Sequence, residues 1–259
     1  MLDIRRRQGA AHRWRYFLYR MTAVCVGLLL AIALEQSVEG LHRWHERGRL
    51  EDDLRAELEQ NQAEIRNDVM VLDDQMVWLT SWNAAVQDAR DRGVPLKQEM
   101  TEDGFEKSVR HTAYALPSMS VWSVAQHAMR VGLLPRNQAE AFERISAVQE
   151  RMLDGAAARM GIYRERVAFE ARFTYPYAPT VPECSKMKPE ELNEYSALLM
   201  REFQAVRMEE LYQLYLYGAN GTVLRGRYSG DEINAGMRAA GGDLWMGPWS
   251  NHSMMERRP

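Results

Sequence analysis

The short motif whose residue types and spacing bear most directly on chemistry is Glu39-Gly40-Leu41-His42. A carboxylate and an imidazole three residues apart share one helical face, and di-iron helix bundles use that pair twice together with two further glutamates. Here the pair occurs once: none of His12, His45, His111, His127 or His252 follows Glu or Asp by three residues. It also lies about one turn beyond a long apolar run. His42, Trp44 and His45 therefore read as amphipathic residues at the headgroup level rather than as metal ligands. Two carboxylate groups, Asp52, Asp53 and Glu57, and Glu99, Glu102 and Asp103, fall at expected helix starts or exposed faces. General acid–base work needs a carboxyl enclosed where its pKa is shifted, and nothing in the sequence encloses these. No G-x-S-x-G turn, CxxC or zinc spacing is present, and Gly226, Gly230 and Gly241-Gly242 fit neither phosphate-loop nor dinucleotide spacing. The expectation is a protein that is not an enzyme, with no catalytic, cofactor-binding or metal site.

The element that positions everything else is Phe17–Leu34, FLYRMTAVCVGLLLAIAL, followed by Glu35. Eighteen helical residues span about 27 Å, close to the hydrocarbon thickness of a bilayer. The one charge, Arg20, lies a turn from the edge, where its stem reaches the headgroups. Trp14, Tyr16 and Tyr19 precede the run and Trp44 follows it, as interfacial belts require. Six arginines (Arg5, Arg6, Arg7, Arg13, Arg15, Arg20) lie before or within it, against Arg43, Arg47 and Arg49 just after. That bias orients the N-terminus to the cytoplasm and the remainder outside. A cleaved signal peptide is the competing reading, with Ala31-Ile32-Ala33 as the cleavage site. The length of the span and its unbroken helical continuation favour an uncleaved anchor.

Residues 1–34 carry a net charge of +5 and the rest of the chain 27 basic against 35 acidic residues, a net of −8. So acidic a body argues against nucleic acid as a partner, because phosphate neutralisation needs clustered Lys and Arg. Cys25 lies in the span and Cys184 in a proline-bordered loop, so they cannot pair; Cys184 reads as a free thiol, with a bridge between two chains as the alternative. Asn220-Gly-Thr and Asn251-His-Ser have the form of glycosylation sequons.

Past the basic N-terminus (1–16) and the transmembrane helix (17–34), the pattern stays helical over 35–92. There Leu54, Leu58, Ile65, Val69, Leu72, Met76 and Leu79 form a coiled-coil-like seam with Glu, Asp and Arg on its flanks. Asn61 occupies an apolar site of that seam, where it sets register either between two copies or against later helices of the same chain. Gly40 and Gly48 are expected soft spots, and Gly93 with Pro95 is a stop. Beyond a linker at 94–101, helices are expected over 102–115, 118–131 and 136–172, with Pro135 as first residue of the last. Its inward face is Phe142, Ile145, Met152, Ala156, Tyr163 and Val167. Residues 174–189, with four prolines, form a loop. A helix then opens at Pro189-Glu190-Glu191 and carries Leu192, Tyr195, Leu199, Phe203, Val206, Leu211 and Tyr215 inward as far as Tyr217. The bundle domain is thus 102–217, packed on the preceding helix. In 218–259, Asn220-Gly221 reads as a turn and Thr222–Tyr228 as the sole strand candidate. Ser229–Glu232 is a capping box for a short helix ending at Gly241-Gly242, before an irregular tail with Trp245 and Trp249. The expected fold is all-α: an N-terminal transmembrane helix continuing into a long helix, then an antiparallel helical bundle.

Two segments, Val26–Ile65 and Trp122–Ile145, resemble bacterial single-pass membrane-anchored proteins of uncharacterised function. In those, an apolar span runs into a juxtamembrane helix with Trp and His, and a later helix turns through a Leu-Leu-Pro-like corner, here Leu133-Leu134-Pro135. The segments cover about a quarter of the chain and consist of packing residues. The resemblance implies an inner-membrane anchor with a periplasmic helical domain and lends no activity. The expected partners are membrane lipid, through residues 17–34, and a protein or a second copy of the chain. A ligand-binding sensory bundle is the alternative. It would work through a partner subunit, since the C-terminal half holds no second apolar run of the required length.

Overall fold

The computed structural model describes residues 8–93, 116–173 and 186–246. Among them are five α-helices and no strand: α1 (Gln8–Arg92), α2 (Ser120–His127), α3 (Arg136–Glu170), α4 (Pro189–Leu224) and α5 (Gly230–Met246). A 3-10 turn, Arg130–Leu133, joins α2 to α3. The contacts divide the chain into two units, Met1–Asp52 and Asp53–Pro259.

In the first unit the helix passes through Gly40 and Gly48 without a break, so neither is the expected soft spot. This is the one helix among the described residues long and apolar enough to cross a membrane, with a best-window mean hydropathy of 2.1 and none of that window buried.

The second unit is a bundle. From Asp53 on, α1 runs antiparallel to α4: Trp82 meets Tyr195, Gln75 meets Glu202 and Gln62 meets Tyr217. α3 is also antiparallel to α4, through Arg159 with Glu209 and Arg166 with Glu202. α1 and α3 therefore point the same way. The main core joins Leu72, Trp78, Leu79, Trp82 and Val86 of α1 to Phe169 of α3 and to Leu192, Tyr195, Leu199 and Val206 of α4. Each such side chain contributes about 1.5–3 kcal/mol by leaving water. The expected apolar faces of α1 and α4 are largely those buried.

α1 ends at Gly93, whose φ of +64° is the left-handed conformation that glycine adopts at least cost. Several boundaries depart from the sequence reading. α2 stops at His127 rather than continuing to Val131, because Met129 adopts a left-handed conformation with φ of 54°. Pro135 is the N-cap of α3 rather than its first residue, and α3 runs unbroken through Gly155 and Gly161. On α3, Val167 points outward, 40% exposed, and the inward places beside it belong to Arg159 and Arg166. Asn220-Gly221 is not a turn and Thr222 does not start a strand: α4 continues to Leu224 and closes at Gly226, φ +76°. Nor does α5 end at Gly241-Gly242; it reaches Met246, so Trp245 lies in a helix. At two of these positions the glycine makes room for a neighbour: a Cβ on Gly221 would stand 2.9 Å from Gln62 Nε2 of α1, and one on Gly241 2.5 Å from the Tyr215 ring of α4, whereas Gly161 and Gly242 meet nothing within 4 Å. The capping box of α5 forms, with Glu232 N donating to Ser229 Oγ at 3.3 Å and Ser229 N to Glu232 Oε2 at 3.4 Å. The expected linker at 94–101, the helix over 102–115 and most of the 174–189 loop lie outside the described residues, as do Cys184, Trp249 and Asn251.

Candidate functional site

The polar residues that converge are not those singled out by motif. They lie on three helices at steps of seven, which is two turns and so a single face: Asn61, Asp68, Gln75 and Trp82 on α1; Arg159 and Arg166 on α3; Tyr195, Glu202 and Glu209 on α4. All nine are buried. Most of them join into one ladder. Trp82 Nε1 donates to Tyr195 Oη at 2.8 Å, and Tyr195 Oη donates to Glu170 Oε1 at 2.6 Å. Arg166 bridges Glu170, 2.6 Å from its Nη1, and Glu202, bonded to its Nε. Gln75 donates to Glu202 Oε1 at 3.2 Å and accepts from Arg159 Nη1 at 3.2 Å. Arg159 Nε stands 2.6 Å from Glu209 Oε2.

Burial alone would lower the Arg166 pKa, but Glu170 and Glu202 outweigh it and hold the guanidinium above its ordinary value. Its flat faces are used as well, 5.3 Å from the centroid of the Trp78 ring and 5.2 Å from that of Tyr163. Arg159 is pushed below its ordinary value by burial, with Glu202 opposing, yet an arginine keeps its proton. The ladder can do one thing well. Every rung joins different helices or successive turns, so a slipped register would leave a charge buried without its partner, at several kcal/mol. It selects one arrangement of α1, α3 and α4.

A second polar cluster ties the segment before α2 to α1. Asn61 uses both ends of its amide on one residue, donating to the Ser118 carbonyl at 2.6 Å and accepting from Ser118 N at 2.9 Å. The seam asparagine thus sets register within the chain. Glu57 Oε1 accepts from Ser120 Oγ at 2.9 Å and from Val121 N at 3.1 Å, placing a carboxylate at the start of α2 where free N–H groups and the helix dipole favour it.

The residues named by motif do not converge. Glu39 pairs with Arg43, and His42 with Glu46 at 3.2 Å; Glu39, His42 and Arg43 are exposed and Glu46 is half-buried. Asp52 and Asp53 are exposed, whereas Glu57, grouped with them by sequence, is buried. Glu99, Glu102 and Asp103 lie outside the described residues. Cys25 is a free thiol on the apolar stretch. Asn220 is fully buried inside α4, so no glycan fits on it in this fold. Among the described residues no three His, Cys, Asp or Glu side chains gather as metal ligands. Of the ladder residues the sequence reading turns only Tyr195 inward, because it assigns charged residues to flanks. The signal was there in the steps 61/68/75, 159/166 and 202/209, each in phase with an apolar row. Compared with protein families, curated proteins and solved structures, the chain matches none.

Proposed function

We propose that the chain is a non-enzymatic, single-pass protein of a bacterial inner (cytoplasmic) membrane, its N-terminus cytoplasmic and its helical body periplasmic. The body serves protein interaction or scaffolding. One observation carries the anchor: Val24, Leu28, Leu29, Leu30 and Leu34 stand exposed on a helix whose apolar window has no buried residue. Water would forgo about 1.5–3 kcal/mol for each large side chain, a cost that lipid removes. The arginine bias before the span supports the orientation, and the resemblance of Val26–Ile65 and Trp122–Ile145 to bacterial anchored proteins agrees with it. A body whose buried ladder residues are spent on holding its own helices supports an interaction role over catalysis.

Replacing Leu28 and Leu30 by Arg tests the anchor: the chain should lose carbonate-resistant membrane association, and unchanged association overturns the reading. Protease added to sealed spheroplasts should digest the body; protection overturns the topology, as does a mature, freely soluble form lacking residues 1–33. Cross-linking in native membranes should join the body to another chain, and recovery of monomer alone removes the interaction role. A sensory body acting through a partner subunit is the second reading. Gln213 and Asn220 favour it, since their buried amide ends meet no hydrogen-bond partner and a small polar ligand would satisfy them. Such a ligand raises the unfolding temperature of the purified protein, which scaffolding alone does not require.

A further inference from the structure

We propose that the α1–α4 seam holds two proton-binding sites, one of Asp68 with Glu209 and one of Glu210 near Asp73, so that the bundle is held together by bound protons and loosens as they leave. The inference is independent of the membrane reading. It starts from a charge count. Three carboxylates of the ladder, Glu170, Glu202 and Glu209, meet two guanidiniums, Arg159 and Arg166, and Asp68 faces Glu209 as a fourth. Glu210 is buried on the next position of α4.

Hydrogen bonding leads to the same place. Oε1 of Glu209, Oδ2 of Asp68 and Oε2 of Glu210 are buried and accept no hydrogen bond, and Oε2 of Glu209 has only its ion-pair contact with Arg159 Nε at 2.6 Å. An ionised carboxylate is acceptor-only and needs several donors. Enclosed without them, the neutral acid is the tolerated form.

The acidic groups around these carboxyls push the same way, and two arginines oppose them. From α1, Glu64 acts on Asp68 and Asp73 acts on Glu210; from α4, Arg207 acts on Glu210. From α3, Arg159 faces Glu209 but is shared with Glu202 through Gln75. Burial, and then Asp68, pushes the Glu209 carboxyl up to about 8. Burial, and then Asp73, takes Glu210 to about 8 against the pull of Arg207. Burial and Glu64 take Asp68 to about 6. Arg159 favours an ionised Glu209, but one guanidinium cannot offset Glu202, Glu209 and Asp68 together.

All three carboxyls are raised above their unfolded values, so the folded chain binds more protons than the unfolded one between about pH 4 and pH 8. The stability they contribute is complete below about pH 4 and is lost as pH rises through about 6 and then about 8. Ionisation sets Asp68 with Asp73 on α1 against Glu209 with Glu210 on α4, like charge against like across the seam.

The test follows thermal unfolding of the full chain in detergent micelles by circular dichroism. Between about pH 5 and pH 9, Tm of the wild type should fall by at least about 5 °C. The Glu209→Gln, Glu210→Gln double variant should be nearly flat and should exceed the wild type at the alkaline end. A slope equal to that of the wild type overturns the proposal. Calorimetric unfolding near neutral pH should release protons, seen as an enthalpy that varies with the ionisation heat of the buffer; no such dependence overturns it. Should the double variant fail to fold, infrared spectroscopy of the wild type decides. A carboxylic-acid carbonyl band at neutral pH, shifted by carbon-13 labelling of glutamate and lost at alkaline pH, supports the proposal, and its absence overturns it.

Discussion

Arg166 of α3 and Glu202 of α4 form an ion pair from which water is shut out, with side chains 1% and 0% exposed. Neither is spare, because Glu202 also accepts from Gln75 of α1 while Arg166 also holds Glu170. A pair of this kind adds little net stability over well-packed apolar residues, but removing one partner is costly. Arg166→Met should therefore lower the unfolding free energy by about 3–5 kcal/mol, read from the midpoint in urea at constant m-value. Adding Glu202→Gln should recover part of the loss, the sign of coupling in a double-mutant cycle. A midpoint unchanged in Arg166→Met would show that the ladder holds nothing together.

Glycine accounts for the docking of α5. Gly218 and Gly236 bring two backbones together, and a Cβ on Gly236 would stand 2.2 Å from Thr222 Oγ1 and 2.8 Å from the Gly218 carbonyl oxygen. Gly236→Ala should cost about 1–3 kcal/mol as the helices are forced apart, and proteases should cut faster in the Gly226–Ser229 connection. Gly242→Ala is the control. A Cβ there meets nothing within 4 Å, so the change should be neutral or stabilising by up to about 1 kcal/mol, as alanine is the better helix former. Equal effects at both positions would remove the close-approach argument.

Asn61 and Glu57 hold the residues before α2 in place. Asn61→Ala removes both side-chain bonds to the Ser118 backbone and, at about 0.5–1.5 kcal/mol for each bond, should cost about 1–3 kcal/mol. Hydrogen exchange should locate the loss, with the amides of Ser118 and Val121 exchanging faster and those at the far end of α1, near Trp82, unchanged. Uniform acceleration along α1 would mean that Asn61 supports the whole seam.

The all-helical class, the exposed apolar span and the apolar rows of α1 and α4 were legible in the sequence. They follow from composition and from a 3.6-residue period, which are local properties of a chain. So were the stop at Gly93 and the capping box at Ser229, where two or three neighbouring residues satisfy the backbone between them. Tertiary structure alone decided which charged residues go inside. Arg159, Arg166, Glu202 and Glu209 look like solvated flanks until antiparallel packing closes over them, because a buried charge is tolerable only beside its counter-charge and a buried acid short of one only in its neutral form. It also decided that Asn220-Gly221 and Gly241-Gly242 continue helices. At Gly221 and Gly241 a side chain of another helix lies against the glycine, a contact that no local pattern announces.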